Sequence, residues 1–468
     1  MNNAMISRRN LLISAGVATA AYAGRPFFNA AYADDGFLEI TAGPTATKLY
    51  RPEAEASDLW LYNESTPGPE IRVKVGERVK VRLKNNLEEP TSIHWHGIRI
   101  ANTMDGVSGL TQEPVQPGGT FEYDFVVPDA GTCWYHAHNK SWKQVARGLY
   151  GSLIVDEATP AFDPDHDLTL VIDDWRLRND GSLDVESLGH LMDWSHGGRF
   201  GNFLTVNGKS RPEISLVDGQ TYRLRLINAA NARIFDIDPN RFDAKILAYD
   251  GQPLLEPETP AYSPMLLAPA QRMDLLVTAK SDFALEELSG DTPYPFIFFK
   301  VQQRQTEENV YRPLKPNPIP EPDLDNARSF VLDMTGGAMG RMVETVYNGK
   351  VLSGEDFPRT GQLWAFNGVA NLAEDPFFSI NRGESVILEV LNNTSFVHAM
   401  HVHGHHFRVI EREGATIDDG RPWRDTFAIG PDQSVRIAFV ADNPGKWLFH
   451  CHMLEHAAAG MNTWFEVV

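Results

Sequence analysis

Apolar and polar side chains alternate in many short stretches of the chain, and this alternation predicts β-strands. In residues 71–75 and 222–226, for example, every second side chain is apolar. A period of two, bounded by Gly, Pro and Asn, is typical of strands with one buried face. Glycine and proline, 37 and 30 in number, recur along the whole chain and predict frequent turns rather than long helices. We therefore predict an all-β fold.

The predicted strands belong to a pattern that occurs three times. Residues 76–96 match residues 383–403 at a constant offset of 307, with the same Gly-Glu, Asn-Asn and His-x-His positions. Residues 117–138 match residues 431–452 at an offset of 314. A middle copy keeps the turns but carries Ile237 at an aligned histidine position. Repetition of this kind predicts copies of one structural unit, with the middle copy as a spacer or packing unit.

The repeats predict three domains within the 468 residues. All-β units of this size, with turns at short intervals, are typical of β-sandwiches. The predicted domains are residues 37–157, 166–302 and 328–468. Residues 303–327 contain five prolines, which exclude a central strand, and we predict a linker there. The alternative is an ordered loop that packs over the second domain.

Composition and charge limit the class of protein and its partners. The chain has 42% hydrophobic and 22% charged residues, which is typical of globular proteins. Its formal net charge of −20 disfavours nucleic acid and anionic membranes as partners. We therefore expect no binding to nucleic acid and no stable insertion into a membrane. Two cysteines cannot form a disulfide framework.

Residues 1–33 have the composition of an export signal. They contain no Asp or Glu, and Arg8 and Arg9 precede a weakly apolar run that ends near Ala31 and Ala33. The run is too short and weak for a transmembrane helix, which needs about 20 strongly apolar residues. Twin arginines before such a run resemble a twin-arginine signal, with an ordinary secretory signal as the alternative. We expect cleavage after about Ala33, a periplasmic or secreted protein, and the twin-arginine export machinery as a partner.

Ten of the 15 histidines lie in four short motifs. They are His94, His96, His136, His138, His398, His401, His403, His450, His452 and His456. Because residues i and i+2 of a strand point to the same face, each His-x-His pair offers two imidazoles to one metal cluster. Four such pairs supply eight ring nitrogens, enough for three metal ions with open positions for a small molecule. A single His-x-His is usually an ordinary strand, but four at equivalent repeat positions predict a metal site.

Cys451 stands between two of these histidines and points to the opposite face of its strand. With His398, His456 and Met461 it makes a set of two imidazoles, one thiolate and one weak thioether. This set is typical of a blue-copper electron-transfer site. Zinc also binds imidazole and thiolate, but it gains nothing from an axial methionine and does not change valence. The main chain joins Cys451 directly to the histidine cluster through both of its neighbours.

The four motifs resemble the copper-binding signatures of the multicopper oxidases, in particular the bacterial laccase-like members. The resemblance extends over essentially the whole chain beyond the export signal, and the ending His-Cys-His-x-x-x-His-x-x-x-x-Met is highly specific. It implies three consecutive cupredoxin-like Greek-key β-sandwich domains. It also implies four copper ions: one of type 1, one of type 2 and a type 3 pair. One departure is Ala399, where the family commonly has proline.

The same resemblance implies which residue binds which copper ion. The implied type 1 ligands are His398, Cys451, His456 and Met461. The implied type 2 ligands are His94 and His401, and the implied type 3 ligands are His96, His136, His138, His403, His450 and His452. Met461, rather than Leu or Phe, is expected to hold the type 1 potential lower.

Two acids resemble the proton suppliers of the family. Asp105 lies nine residues after His96, and Glu455 lies beside His456. Reduction of dioxygen to water consumes protons, so a carboxylate within reach of the oxygen-binding site is required. We therefore expect both carboxylates to serve catalysis, with Glu455 facing the cluster.

Cys133 takes the repeat position of Trp447, so the first domain is expected to have no type 1 copper. A disulfide with Cys451 would consume the thiolate that the blue site needs. We therefore predict that Cys133 is a buried free thiol.

The implied reaction is the one-electron oxidation of a reducing substrate at the type 1 copper, repeated four times, with dioxygen reduced to water. His398 or His456 is expected to be the electron port, and residues 190–196 are a candidate for the substrate face. We favour a phenol-type, laccase-like substrate.

Two other functions stay open. Met334, Met339 and Met342 lie in a glycine-rich segment, and soft sulfur selects Cu(I). They favour, as an alternative, a metallo-oxidase acting on Cu(I) or another low-valent metal ion in copper tolerance. A non-catalytic cupredoxin scaffold or a copper carrier is the third possibility. Such scaffolds typically lose ligands, whereas this chain has lost none.

Overall fold

The computed structural model describes residues 35–260, 264–303, 309, 311–339, 344–413 and 421–468. The predicted export signal and Met342 therefore lie outside the described residues. Among the described residues, no helix is both long enough and apolar enough to cross a membrane.

The first domain consists of two four-stranded sheets with the orders β2-β1-β4-β6 and β3-β8-β7-β5. Its strands are β1 Leu38–Thr47, β2 Ser57–Tyr62, β3 Gly68–Lys74, β4 Arg78–Asn85, β5 Ile93–His96, β6 Thr120–Val126, β7 Gly131–Ala137 and β8 Tyr150–Asp156. The helix α1 spans Ser141–Gln144, and 3₁₀ turns span Asn102–Met104 and Val145–Arg147. In β4 the apolar residues are buried at every second position, as the alternation predicts.

The second domain has a six-stranded sheet of order β10-β9-β12-β17-β14-β15 and two small sheets, β11-β19-β18 and β13-β16. Its strands are β9 Asp167–Trp175, β10 Phe203–Val206, β11 Glu213–Val217, β12 Thr221–Asn228, β13 Phe235–Ile237, β14 Lys245–Tyr249, β15 Gln252–Glu258, β16 Met265–Leu267, β17 Arg272–Thr278, β18 Phe283–Glu287 and β19 Tyr294–Gln302. The helix α2 spans Leu191–Ser195, and 3₁₀ turns span Pro164–His166, Val185–Ser187 and Pro239–Phe242.

The third domain has sheets of order β23-β20-β25-β30-β27-β28 and β24-β32-β31-β26-β29, together with the hairpin β21-β22. Its strands are β20 Arg328–Gly336, β21 Thr345–Tyr347, β22 Lys350–Leu352, β23 Trp364–Phe366, β24 Ser379–Ile380, β25 Ser385–Asn392, β26 His398–Val402, β27 Phe407–Arg412, β28 Trp423–Arg424, β29 Thr426–Ile429, β30 Ser434–Val440, β31 Gly445–Cys451 and β32 Asn462–Val467. Its helices are α3 Asp356–Thr360 and α4 Leu454–Ala458.

The sequence repeat reappears in the strand pairing. The first strand of each domain pairs in parallel with a later strand of the same sheet, in β1–β4, β9–β12 and β20–β25. The second sheets contain the parallel pairs β3–β8, β11–β19 and β24–β32. The predicted fold class, three consecutive β-sandwich domains, is confirmed.

The apolar cores show which domains act together. The first and third domains share one continuous buried cluster, whereas the second domain has its own. The described part of residues 303–327 contains neither helix nor strand. Leu314 in that part packs with Phe162 and Leu247, so this part of the linker lies against the second domain. The shared core places the histidine motifs of the outer domains face to face.

Candidate metal centre

Two pairs of neighbouring strands carry the histidine motifs, one pair in each outer domain. In the first domain β5 is antiparallel to β7 and places His94 opposite His136. In the third domain β26 is antiparallel to β31 and places His401 opposite His450. The register is therefore the same in both domains. The second histidine of each motif follows two residues later, at the end of its strand or just beyond it.

The two strand pairs face each other, and their eight histidines form one cluster. The ring centroids of His94 and His403 lie 3.9 Å apart, and those of His96 and His401 lie 3.7 Å apart. In the repeat, His94 is equivalent to His401 and His96 is equivalent to His403. Exchange of the two domains therefore converts each of these contacts into the other. Two further contacts related in this way, both of 5.2 Å, are His96 with His452 and His403 with His138. The cluster therefore has an approximate twofold axis between the first and third domains.

Three groups in the cluster have ring nitrogens within 4.8 Å of one another, close enough to share a metal ion. They are His94, His96 and His401; His96, His136 and His452; and His138, His403 and His450. Pairs of Nε2 atoms converge in the last two groups, at 3.3 Å for His136 and His452 and 3.1 Å for His403 and His450. These two groups match the implied type 3 ligands, and the first contains the implied type 2 ligands.

Several cluster nitrogens are buried and have no hydrogen-bond partner among the described residues. They are Nε2 of His94, Nε2 of His401, Nδ1 of His96 and Nδ1 of His452. The other ring nitrogen is held in His94, whose Nδ1–H donates to the Asp105 carbonyl at 2.8 Å. Such a contact fixes the tautomer and leaves the free nitrogen available to a metal. Because a buried nitrogen without a partner costs free energy, these residues fit a bound metal ion.

Burial favours the neutral form of histidines in both halves of the cluster. It lowers the pKa of His450 to about 3. Burial, reinforced by neighbouring imidazoles, lowers the pKa of His136 and His403 well below the ordinary range. Neutral imidazole is the metal-binding form of histidine. At neutral pH these histidines therefore offer lone pairs rather than positive charges.

Asp105 contacts the histidine cluster from outside. The side chain is fully buried. Its Oδ2 lies 3.0 Å from Nδ1 of His403, and its Oδ1 lies 3.2 Å from Nδ1 of His94. The carboxylate thus contacts one histidine from each outer domain.

Asp425, which the sequence analysis did not identify, takes the corresponding place on the other side of the axis. Its Oδ1 lies 3.1 Å from Nε2 of His96, and its backbone carbonyl accepts from Nδ1–H of His401 at 2.9 Å. Because β27 and β28 are inserted before Asp425, neither repeat offset aligns it with Asp105. The pairing of β29 with β26, which brings Asp425 beside His401, is a feature of the structure and not of the repeat, so the sequence carries no signal for it.

A second candidate site lies inside the third domain. Sγ of Cys451 lies 3.6 Å from Nδ1 of His398 and 3.8 Å from Nδ1 of His456, and the two nitrogens are 3.0 Å apart. Met461 is fully buried, and its carbonyl accepts from the backbone N–H of Cys451. These are the donors of a blue-copper site. Burial raises the pKa of the Cys451 thiol to about 12, so a bound cation is needed to hold the thiolate.

Both histidines of this second site are fully buried, so neither ring reaches the surface directly, and an electron port at His398 or His456 stays a prediction. Nε2–H of His456 donates to the carbonyl of His196 in the second domain at 2.5 Å. Nε2 of His398 lies 2.8 Å from Oγ1 of Thr394. The Trp364 ring lies 4.5 Å from that of His456. His196 of the second domain therefore covers His456.

Residues 190–200, called here the cover segment, make this contact. The indole N–H of Trp364 donates to the Trp194 carbonyl at 2.7 Å, and the backbone N–H of Ala338 donates to the Ser195 carbonyl at 2.7 Å. The cover segment exposes Leu191, Met192 and Phe200, which are 42%, 56% and 43% accessible. It is thus fixed to the third domain on one side and presents apolar groups to solvent on the other.

Glu455 is fully buried, but its carboxylate contacts the second domain rather than the histidine cluster. Its Oε1 accepts from Nδ2 of Asn231 at 2.7 Å, and its Oε2 accepts from the backbone N–H of Arg199 at 3.2 Å. Burial raises the pKa of Glu455 to about 7, although these hydrogen bonds oppose the shift. The expectation that Glu455 faces the cluster is corrected, because neighbouring residues of α4 point in different directions.

The thiols and methionines outside the sites also have defined places. Both cysteines are buried and free, as predicted for Cys133, whose thiol contacts the Gly97 carbonyl at 3.5 Å. Met334 is fully buried in β20, whereas Met339 is 74% exposed. The thioether of Met334 packs in the shared core, so it cannot belong to a surface relay with Met339.

Family comparisons agree with this geometry. Three family models described as multicopper oxidase match residues 45–160, 166–287 and 344–468. Each match falls on one of the three β-sandwich domains.

Individual relatives match nearly the whole chain. Multicopper oxidase MmcO of Mycobacterium tuberculosis is 29% identical, and the match covers 99% of this chain and 97% of that protein. The crystal structure of a multicopper oxidase from Pseudomonas thermotolerans is 30% identical with a TM-score of 0.79, covering 92% of this chain and 98% of that one. Lac15 from a marine microbial metagenome is 36% identical with a TM-score of 0.70, covering 92% and 99%. Other relatives are named laccase or iron transport multicopper oxidase.

Proposed function

Because the chain belongs to the multicopper oxidase family, we propose that it couples four one-electron oxidations of a phenol-type substrate to the reduction of dioxygen to water. The prediction of a copper-dependent oxidoreductase with dioxygen as acceptor is confirmed by that membership. One observation carries the coupling: Cys451 is bonded through the main chain to two histidines of the cluster.

We assign four copper ions to the two candidate sites. The type 1 ligands are His398, Cys451, His456 and Met461; the type 2 ligands are His94 and His401; and the type 3 ligands are His96, His136, His138, His403, His450 and His452. Bound copper supplies reversible one-electron chemistry and a place for dioxygen. The free cluster nitrogens and the converging Nε2 pairs support this assignment.

The chain provides two short routes for electrons from Cys451 to the cluster. One is the main chain, which joins Cys451 directly to His450 on one side and to His452 on the other. The other is a hydrogen bond in which Nδ1–H of His450 donates to the Cys451 carbonyl at 2.9 Å. Both routes are fully buried, so their geometry is fixed by the packed strand.

Asp105 is proposed to hold and release the protons that the reaction consumes. Its carboxylate is buried against His94 and His403, one from each outer domain. A carboxylate there accepts a proton at Oδ1 or Oδ2 and returns it to the cluster within hydrogen-bond reach. Glu455 stays a second candidate for this role, because its buried carboxylate is held by Asn231 and Arg199 and burial raises its pKa to about 7.

A phenol-type reductant is the first substrate class because of the outer face of the cover segment. Leu191, Met192 and Phe200 are exposed there. Apolar groups with an aromatic ring favour contact with a planar aromatic molecule. The hydrogen bond between His456 and the His196 carbonyl connects this face to the type 1 site, so electrons enter across the cover segment.

Oxidation of Cu(I) or another low-valent metal ion is the second candidate. Two exposed thioethers favour it: Met192 on the cover segment and Met339, which follows the Ala338 that binds Ser195. Thioether sulfur prefers Cu(I). Relatives named laccase and relatives named iron transport multicopper oxidase both match the chain, which supports either class.

We propose a periplasmic or secreted location after cleavage near Ala33. The support is the acid-free N-terminus with Arg8 and Arg9 ahead of a weakly apolar run. Fusion of residues 1–40 to a reporter, with Arg8→Lys and Arg9→Lys as the matched variant, tests the twin-arginine route. Export of the variant at the unchanged rate would contradict this route.

Copper loading followed by oxygen uptake tests the function. We expect an intense blue colour, and oxygen uptake on addition of a phenol. The substrate classes are separated by Met192→Leu and Met339→Leu, with the buried Met334→Leu as the matched control. If these variants lose the oxidation of Cu(I) but keep the oxidation of a phenol, the result supports Cu(I) as a substrate. A colourless protein, or one that consumes no oxygen with either reductant, would refute the proposal.

A further inference from the structure

Arg272 of the second domain lies where all three domains meet. Its side chain is fully buried. Nε–H donates to the carbonyl of Thr132 at 3.0 Å, on the β7 strand that carries His136. A second N–H donates to Oδ1 of Asp425 at 2.8 Å, and a third bonds Oδ2 of the same carboxylate. The guanidinium also donates to two carbonyls of its own domain, so it binds all three domains at once.

The sequence repeat shows that this arginine is a departure from the common pattern. Arg272 lies three residues after Pro269, where the other copies have Thr120 after Pro117 and Ser434 after Pro431. In all three copies this residue pairs with the neighbouring strand at the same place. Its partner is the residue that directly precedes the repeated asparagine. A small hydroxyl side chain in the outer copies is thus replaced by a long cation in the middle copy.

The carboxylate that Arg272 holds contacts the metal cluster. Asp425 reaches His96 with its side chain and His401 with its backbone carbonyl. Room for the guanidinium comes from Gly97, where a Cβ atom would lie 2.4 Å from a terminal nitrogen of Arg272. Gly97 directly follows His96, so the chain is shaped around Arg272 at the cluster itself.

The two carboxylates that contact the cluster differ in whether an arginine holds them. Asp105 contacts His94 and His403 and has no arginine partner among the residues that the structure describes, whereas Asp425 forms a two-pronged ion pair. A two-pronged arginine–carboxylate pair fixes the orientation of the carboxylate as well as its charge. Groups that orient a metal-binding histidine typically matter about 10- to 100-fold in metal affinity or activity.

We propose that Arg272 is a positioning residue, through which the domain without metal ligands sets the geometry of the type 2 and type 3 ligands. Through Asp425 it orients His96 and His401, which belong to different outer domains and different copper ions. The inference rests on the proposed function, because it concerns the ligands assigned there. It also revises the expectation that the middle domain is only a spacer.

The test compares Arg272→Met with Arg225→Met in the copper-loaded full-length protein. Arg225 is the matched control because it is also fully buried and also binds Thr132, through Oγ1 at 2.9 Å, but pairs with Asp167 rather than with Asp425. The readouts are copper content, the type 2 signal in electron paramagnetic resonance, blue absorbance and oxygen uptake. For Arg272→Met we expect an altered type 2 signal, loss of copper and about 10- to 100-fold slower oxygen uptake, with the blue absorbance unchanged. For Arg225→Met we expect wild-type signals.

Arg272→Lys and Asp425→Asn complete the design if Arg272→Met does not accumulate. Lysine keeps the charge without the planar fork, so we expect a smaller change in the type 2 signal than with Met. A wild-type signal in Arg272→Met, or in both Arg272→Lys and Asp425→Asn, would overturn the proposal. Equal changes in Arg272→Met and Arg225→Met would overturn it too, since they indicate general loosening of the interface. Wild-type protein without blue colour or a type 2 signal would instead refute the proposed function.

Discussion

The middle domain and the outer domains share a strand arrangement but contribute different kinds of side chain. The outer domains place histidines on paired strands, in β5–β7 and β26–β31. The middle domain has Ile237 at an aligned position and contributes buried charges instead. These are Arg223, Arg225 and Arg272 with their acidic partners.

The difference teaches how one scaffold divides its tasks. Histidines in the outer domains offer lone pairs to metal ions, whereas the arginines of the middle domain are fixed charges that do not titrate. Substitution of a histidine of the cluster in the outer domains should therefore abolish activity with little loss of stability. Substitution of a buried charged residue of the middle domain other than Arg272 should lower stability and leave activity nearly unchanged.

The largest effect on turnover is expected for Cys451→Ser. Oxygen neither replaces the thiolate donor nor supports the blue colour, so blue absorbance and substrate oxidation should both be lost. The type 2 signal and the thermal midpoint should stay close to wild type, because the volume change is small. Cys133→Ser, at the other buried thiol, is the control and should keep both colour and turnover. Substrate oxidation by Cys451→Ser would contradict the type 1 assignment.

A smaller effect is expected for Asp105→Asn. The amide keeps the size of the side chain but cannot accept and release a proton, so oxygen uptake should slow by about 10- to 100-fold. Stopped-flow absorbance separates the two half-reactions: bleaching of the blue colour by substrate should stay fast, and recolouring by dioxygen should slow. Asp124→Asn on β6 is the control. Slow bleaching with fast recolouring would show that Asp105 does not serve the cluster.

A moderate effect is expected for Met461→Leu. Loss of the weak axial thioether should raise the type 1 potential while the colour persists. A redox titration of the blue absorbance measures the shift. Met453→Leu, which is also buried, is the matched control and should leave the potential unchanged. A lower potential in Met461→Leu would argue against an axial methionine.

The smallest effect on turnover, but a large one on stability, is expected for Asp167→Asn in the middle domain. Asp167 is buried between Arg225 of its own domain and Arg72 of the first domain. Breaking a buried pair leaves an uncompensated charge and costs about 3–5 kcal/mol of the free energy of unfolding. Urea unfolding should show this loss at neutral pH, while the copper spectra stay unchanged.

The pH dependence of the same variant sharpens that prediction. Burial disfavours the ionised carboxyl, but the charge and hydrogen bonds of Arg225 outweigh burial and hold the pKa of Asp167 well below its usual range. Such a carboxyl stabilises the fold above its unfolded pKa of about 4, and this stabilisation is lost as the pH falls towards the folded pKa. The difference in unfolding free energy between wild type and Asp167→Asn should therefore shrink below about pH 4. A constant difference would assign the loss to packing.

The metal ligands could be predicted because their positions depend on local geometry. Strand alternation puts His94 and His96 on one face, and the constant repeat offset gives His401 and His403 the same register. The β-sandwich class followed from the same alternation, bounded by turn residues.

The supporting residues could not be predicted because they act across domain boundaries. Asp425 lies behind an insertion, His196 contributes only a backbone carbonyl, and Arg272 reaches the cluster through another side chain. No periodicity within one domain encodes such contacts. The prediction that Glu455 faces the cluster was wrong for the same reason, since its partners Asn231 and Arg199 belong to another domain.

The approximate twofold axis of the histidine cluster has a consequence for its origin. Contacts that occur in exchanged pairs, such as His94 with His403 and His401 with His96, are those of a symmetric homodimer. Two copies of one ancestral domain would thus already bring the imidazoles together by association. Fusion into a single polypeptide makes that association independent of concentration. Each half then evolves separately, and here one carries Cys451 where its sister carries Ala137.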